Sequence, residues 1–305
     1  MKSMKKKIFL TGGCGYIGSL LIRKLLDLGY IVKCLDLFIY GDSTVKSLSN
    51  NKNFILIKGD VREKKILEKH IEDSDIIIHL SDNTSISVAE NNTENSLIST
   101  VLPIINLINA AKELSSIPRV VFASTATIYG LTEKFPIEES HVSTPITSYD
   151  LHKFFAEQQL KMASNDNLID AVSLRLANVY GPSLNESSAH DRGILSKVTR
   201  MSFENKNPQV YGDGNYIRDY IYIDDVVSAF LYASIIDYDE IRRKSEIIFN
   251  VSSGIGVSVK NVFSLISSEV EKITGTKLKK TRDNIKDKSY SSIIQTWVQI
   301  LKIIY

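Results

Sequence analysis

The sequence predicts an α/β chain, a doubly wound parallel sheet followed by a smaller C-terminal substrate-binding lobe, and three observations point there. Short apolar runs suited to strands buried on both faces alternate with helical segments as far as Asn178. The first such unit, Lys7 to Asp36, reads as strand, glycine turn, helix and strand. After Asn178 the rhythm breaks into longer loops around Pro182, Pro208 and Tyr211-Gly212-Asp213-Gly214. Domains of 1–178 and 179–305 follow, with a strand near 247–251 placed to rejoin the sheet.

The opening unit carries the most chemistry. Ile8–Thr11 is a strand, and Tyr16–Leu28 a helix with Ile17, Leu20, Leu21, Leu25 and Leu28 at helical spacing before Gly29. Ile31–Asp36 is the second strand. Between strand and helix, Gly12 permits the tight exit, Gly15 lets backbone N–H groups approach a pyrophosphate, and Gly18 lets the helix pack on the sheet. Tyr16 and Ile17 lie in the helical turn that faces such a group. Asp36, at the tip of the second strand, accepts ribose hydroxyls and repels a 2′-phosphate, which favours NAD over NADP. The domain 1–178 is therefore read as a Rossmann-type NAD-binding domain.

The other elements follow in order. Phe54–Ile57 is the third strand, and it ends in Gly59, Asp60 and Val61, where a short polar group can meet an adenine amino group. Asp75–Leu80 is the fourth, bringing Leu80 and Ser81 beside the cofactor's ribose and pyrophosphate. Ser96–Leu114 is a long helix with an interior Pro103. Arg119–Ser124 and Ile169–Arg175 are the fifth and sixth strands, with the helix Tyr149–Met162 between them. Ile247–Val251 is a further strand and Val257–Ile273 a helix.

Composition removes several function classes. A chain of 305 residues at 43% hydrophobic content fills a sizeable core. Its net charge of +2, from 37 basic and 35 acidic residues, gives no field suited to nucleic acid or an anionic membrane. Cys14 and Cys34 read as small fillers in a reducing cytosol, and no metal-ligand set stands out. The first apolar run stops at Thr11 and Gly12, too short for a secretory segment, and no window approaches a membrane span. A soluble cytoplasmic protein is expected.

Tyr149 and Lys153 stand four apart on a predicted helix and so share one face. A tyrosine serves as a base near neutral pH only if its phenolate is favoured, and an adjacent ammonium, helped by a bound nicotinamide cation, does this. A shift of about three units corresponds to about 4 kcal/mol. Alone, such a pair is an ordinary amphipathic one. Ser124 and Thr125, at the end of the fifth strand, supply the context, because a hydroxyl there can hold a substrate oxygen while Tyr149 moves its proton.

Ordered motifs carry a family resemblance across residues 7–254. TGGCGYIG (Thr11 to Gly18) resembles the glycine turn of extended short-chain dehydrogenases/reductases, the branch holding NAD-dependent sugar-nucleotide epimerases and dehydratases. ASTATIYG (Ala123 to Gly130) is similar to the SSATVYG segment of nucleotide-sugar 4-epimerases, and SYDLHK (Ser148 to Lys153) to the family's YxxxK. LRLANVYGP (Leu174 to Pro182), VYGDGNYIRDYIYIDDVVSAF (Val210 to Phe230) and FNVSSG (Phe249 to Gly254) resemble further family segments. The resemblance implies catalytic roles for Thr125, Tyr149 and Lys153, with Tyr149, Lys153 and Ala177 beside NAD. It puts Thr84, Thr125, Asn178, Tyr211 and Arg218 against a nucleotide sugar, Asn178 and Arg218 at its phosphates. From the residues alone, Asn178 can instead brace a turn and Arg218 can pair with Asp213 or Asp219 on the surface. The resemblance also implies a homodimer through the helices at 96–114 and 149–162.

The reaction subtype follows from Thr125, Ala126 and Thr127. Dehydratases and decarboxylating relatives carry carboxylates in this stretch, and without them elimination lacks its proton carriers, so 4-epimerisation leads. A nucleotide-sugar reductase, dehydrogenase or dehydratase of the same family, or a non-catalytic NAD-binding protein, are the alternatives. The chain departs from the family pattern at Leu80-Ser81-Asp82, where LAA is usual and an acid is expected near the pyrophosphate. It departs again at Thr100, where an asparagine braces the active-site helix, and in the stretch after Lys280.

Overall fold

The computed structural model describes residues 6–82, 86–184, 193–206, 213–236 and 247–275. In chain order the elements are β1 (Lys7–Thr11), α1 (Tyr16–Asp27), β2 (Ile31–Asp36), α2 (Ser43–Lys46), β3 (Phe54–Lys58) and α3 (Lys64–Ile71). β4 (Ile76–His79), α4 (Ile86–Asn91), α5 (Thr93–Ala111), β5 (Arg119–Thr125), a 3-10 turn at Ala126–Tyr129, α6 (Ser148–Asn165) and β6 (Asp170–Leu176) follow. The remainder is β7 (Asn178–Tyr180), α7 (Gly193–Phe203), β8 (Ile217–Tyr222), α8 (Ile223–Ile235), β9 (Ile248–Val251), β10 (Gly256–Ser258) and α9 (Val259–Thr274).

The chain divides into two compact units, residues 1–176 with 225–251, and residues 177–224 with 252–305. A single cut after residue 178 does not describe this division. The strand expected near 247–251 does rejoin the sheet, β9 pairing in parallel with β6, Arg175 opposite Asn250 and Leu176 opposite Val251, and residues 225–246 fall with it in the first unit.

The first unit is built on a seven-stranded sheet of order β3-β2-β1-β4-β5-β6-β9, parallel throughout. Its strands are apolar on both faces, as Ile76, Ile77 and Ile78 show, because helices cover both sides. One core cluster joins Phe9, Leu35, Ile77, Val120 and Phe122 of the sheet to Leu67 of α3, Leu107 of α5 and Leu160 of α6. The helix predicted from Ser96 begins earlier, at Thr93, since the Asn92 side chain accepts from Asn95 N, and it runs through Pro103.

The second unit carries a three-stranded sheet, β10-β8-β7, with β10 antiparallel and β7 parallel to β8. Tyr180, Tyr220, Val257, Val262, Phe263 and Ile266 form its core with Leu195 and Val198 of α7. The predicted helix from Val257 starts at Val259 instead, because Ser258 ends β10 and caps α9 by accepting from Asn261 N at 3.3 Å.

Candidate active site

The glycine turn is closed against the end of β4. Gly12 has φ +75°, and a Cβ there would lie 2.7 Å from Ser81 N, so only glycine fits. At Gly18 a Cβ would lie 2.4 Å from Gly12 O, which keeps α1 tight on the turn. Gly15 is the N-cap of α1, a helix with no acidic residue in its first turn and no side-chain cap. Leu80 N donates to Thr11 O at 3.1 Å and Ser81 N to Thr11 Oγ1 at 3.4 Å, fixing the backbone of 80–81 beside the turn. A narrow backbone cradle at a helix N-terminus fits an anionic pyrophosphate.

Asp36 stands at the tip of β2, where both carboxylate oxygens accept backbone N–H groups, from Cys14 at 2.9 Å and Phe38 at 2.8 Å. Burial pushes its carboxyl up, against those bonds. Asp60 is held by Arg62, whose Nε lies 2.9 and 3.0 Å from the two carboxylate oxygens, and the guanidinium draws its carboxyl below the usual range. Val61 packs on the core of the first unit. Ala177 follows β6 directly and begins the second unit.

Tyr149 and Lys153 enter through the start of α6. Thr147 and Asp150 form a reciprocal capping box, each side chain bonding the other's backbone N–H at 3.2 Å, so the helix begins at Ser148. This puts Tyr149 and Lys153 one turn apart in its first two turns. Lys153 Nζ donates to Ala123 O at 2.8 Å, which anchors the pair at the carboxyl end of β5. The ammonium stands 4.7 Å from the Phe122 ring centroid and 6.0 Å from that of Tyr149. Thr125 Oγ1 lies 2.9 Å from Thr127 Oγ1, which in turn donates to Asp150. Thr125 is thus linked through Thr127 to Asp150, the residue after Tyr149, and Lys153 meets Ala123 two residues before Thr125.

Two expectations are corrected. Asp82 does not turn toward the pyrophosphate cradle; its Oδ2 lies 2.8 Å from Lys153 Nζ, with both side chains buried, and its Oδ1 accepts from Thr100 Oγ1 at 2.9 Å. The Tyr149 phenol is not made more acidic in this arrangement. Burial pushes it well above a free tyrosine, and the charges of Asp82 and Asp150 push the same way.

Sequence reasoning also missed the support beneath the site. Arg175 of β6 grips Glu157 of α6 at 2.7 and 3.0 Å, and Ser124 Oγ donates to the same carboxylate. The guanidinium lies 4.6 Å from the centroid of Tyr129, whose hydroxyl donates to Asn250 Oδ1 of β9 at 2.7 Å. His79 Nδ1 lies 2.7 Å from Thr11 Oγ1, and burial, with the Lys153 charge, draws the imidazole down to about 3, so it stays neutral at pH 7. Mid-strand and mid-helix polar residues in apolar runs were the only sequence signal for these groups.

In the second unit, Asn178 is exposed and donates through Nδ2 to Asp219 O at 2.9 Å across β7 and β8. Arg218 is exposed, donates to Ile217 O at 2.9 Å and lies 5.9 Å from the Tyr216 ring. The acids once open to it are otherwise engaged, Asp219 by Ser253 N at 2.8 Å and Asp213 by Asn215 N at 2.9 Å. Thr84, Tyr211 and the segment after Gly275 lie outside the described residues.

A glycine cradle, an acid at the tip of β2 and a Tyr149–Lys153 pair at the end of β5 now stand on one sheet, and a family model agrees with them. The model of the NAD dependent epimerase/dehydratase family matches residues 8–251. The chain belongs to that family. A UDP-glucose 4-epimerase of Mycolicibacterium smegmatis is 27% identical over 267 residues, covering 87% of this chain and 82% of the relative. The fold is also that of a UDP-N-acetylglucosamine 4-epimerase from Methanobrevibacter ruminantium in complex with UDP-N-acetylmuramic acid, at TM-score 0.82 and 23% identity over 99% of this chain and 100% of that one. A UDP-glucuronic acid 4-epimerase from Bacillus cereus, in complex with UDP-glucuronic acid and NAD, superposes at TM-score 0.79 with 23% identity, covering 98% of this chain and 100% of that one.

Among the described residues no helix is long and apolar enough to cross a membrane, and no group of three His, Cys, Asp or Glu side chains could hold a metal ion.

Proposed function

We propose that this protein inverts C4 of a nucleotide sugar, most simply a UDP-hexose or its N-acetyl form, with a bound NAD that is recycled. The observation that carries the reading is the bond from Lys153 Nζ to Ala123 O, which pins the Tyr149–Lys153 turn at the carboxyl end of β5, beside Thr125. The family membership and the epimerases among the relatives point the same way.

NAD, when bound, would be held by the Gly12–Gly18 turn and Asp36 and would supply the hydride acceptor and, afterwards, the hydride donor. Thr125 Oγ1 binds the sugar's 4-oxygen, and Tyr149 takes the 4-hydroxyl proton as the sugar is oxidised to its 4-keto form. That 4-keto sugar would be reduced again from its other face, with Tyr149 returning the proton, so no electron or proton is left over. Lys153 opposes the phenolate's loss of solvation. Asn178 and Arg218 take the diphosphate, for which arginine offers a planar fork. Thr125, Ala126 and Thr127 leave no carboxylate in that stretch to eliminate the 6-hydroxyl.

A homodimer fits the exposed apolar side chains of α5 and α6, among them Leu102, Ile105, Leu151 and Phe155. Cys14 and Cys34, buried neighbours that remain free thiols, suit a reducing cytoplasm.

The test is incubation of the purified protein with UDP-, GDP-, CDP- and dTDP-sugars, followed by NMR for C4 inversion. Tyr149→Phe is expected to lower turnover by about a thousandfold or more while NAD affinity stays within a few-fold. Inversion at the normal rate by that variant, or stoichiometric NADH in place of an epimer, overturns the reading.

A further inference from the structure

Two features that the sequence presents as unrelated oddities, Asp82 and Thr100, are one device in three dimensions. Asp82 sits just past β4, and Thr100 lies on α5; both are buried. Thr100 Oγ1 donates to Asp82 Oδ1 at 2.9 Å, which orients the carboxylate so that Oδ2 meets Lys153 Nζ at 2.8 Å. Lys153 has three N–H donors. One is committed to Ala123 O, and the Asp82 carboxylate stands in ion-pair contact with the same ammonium.

We infer that Asp82 is a positioning residue: its carboxylate, seated by Thr100, holds the Lys153 ammonium at the end of β5 and sets a negative charge beside Tyr149. The inference rests on the proposed role of Tyr149 but makes a claim of its own. A short ammonium–carboxylate pair fixes a flexible side chain that would otherwise hold many rotamers. The same charge disfavours a phenolate nearby, which agrees with the direction in which Asp82 moves the Tyr149 phenol. Precise placement of the ammonium is thus obtained against the ease of ionising the base.

The charged and titratable neighbours are few enough to isolate this effect. From α6 come Asp150, His152 and Lys153, and from α4 comes Glu90, which acts on His152 and accepts from Ser148 N. His79 of β4 is neutral near pH 7. α5 contributes hydroxyls, Thr100 to Asp82 and Ser96 Oγ at 2.9 Å from His152 Nδ1. β5 contributes the Phe122 ring and the Ala123 carbonyl. Of the carboxylates among the described residues that act on Tyr149, Asp82 is the one that also contacts Lys153, and Asp150 is spent on the capping box.

The experiment is an ultraviolet titration of the Tyr149 phenolate in the full chain, with and without saturating NAD and with no sugar present. Tyr149→Phe identifies the step by difference. In Asp82→Asn the midpoint is expected to fall by about one pH unit or more, because a like charge is removed and the ammonium's field is released. Thr100→Val should move the midpoint less, and it should have no effect in the Asp82→Asn background, since Thr100 acts through Asp82. The paired change Asp82→Ala with Thr100→Asn guards against a misfolded single variant, and it too should lower the midpoint. A midpoint that stays put or rises in Asp82→Asn and in the paired variant, or a Tyr149-dependent step absent from wild type and variants alike, overturns the inference. Because no sugar is used, a shifted midpoint without epimerisation of any sugar leaves this inference standing and removes the proposed reaction. Epimerisation with an unmoved midpoint does the reverse.

Discussion

The two units hold their polar site residues by opposite means. In the first, the Lys153–Asp82 and Arg175–Glu157 pairs are buried, each charge meeting its opposite at 2.8 and 2.7 Å. In the second, Asn178 and Arg218 are exposed and donate to backbone carbonyls, Asp219 O and Ile217 O. A charge withdrawn from water locks its neighbours, because leaving it uncompensated is costly; an exposed side chain keeps its rotamers and can re-aim. Reacting groups need the first treatment, and the flexible diphosphate proposed for Asn178 and Arg218 would be served by the second.

Breaking a buried pair should have the larger consequence. Glu157→Ala strands the Arg175 guanidinium between β6 and the Tyr129 ring, and stability is expected to fall by about 3–5 kcal/mol, read from the denaturation midpoint at unchanged slope. A loss under about 1 kcal/mol would put this pair in the class of exposed ones and end the contrast.

A smaller effect tests the dryness of the first unit. His79 is neutral because burial penalises its charged form, taking its pKa from 6.5 to about 3. Between those values the unfolded chain binds the extra proton, so stability must fall as pH drops below about 6.5, by about 1.4 kcal/mol per unit. His79→Gln should flatten that slope. Urea unfolding at neutral and mildly acid pH, wild type beside variant, decides it; equal slopes would mean water reaches the ring.

The mildest change belongs to the second unit. Arg218→Ala should raise KM for the nucleotide sugar about tenfold and leave kcat within a few-fold, with stability moved by under about 0.5 kcal/mol. A fall in kcat with KM unchanged would show a side chain as fixed in purpose as those of the first unit.

Much of this was legible in the sequence, for physical reasons. Strands buried on both faces read as unbroken apolar runs, so Ile76–Ile78 and Val120–Phe122 announce themselves. The glycine turn is legible because backbone crowding, as at Gly12 against Ser81, excludes every other residue. The short strands β7, β8 and β10 were not, since three to six residues carry little periodicity and Arg218, Asp219 and Tyr220 look like a loop. Asp82 was misplaced because its partners, Thr100 and Lys153, are brought to it only by the packing of α5 and α6 on the sheet. Local propensity holds nothing about such a meeting.

The seventh strand has a consequence for how the molecule is made. β9 completes the edge beside β6, yet the chain delivers it only after residues 177–224 have been laid down as part of another compact body. During synthesis the hydrogen-bonding rim of β6 must therefore wait, uncovered, while that intervening body emerges. A premature stop anywhere before Ile248 leaves this rim open for good, a template on which a second nascent chain can add its own strand.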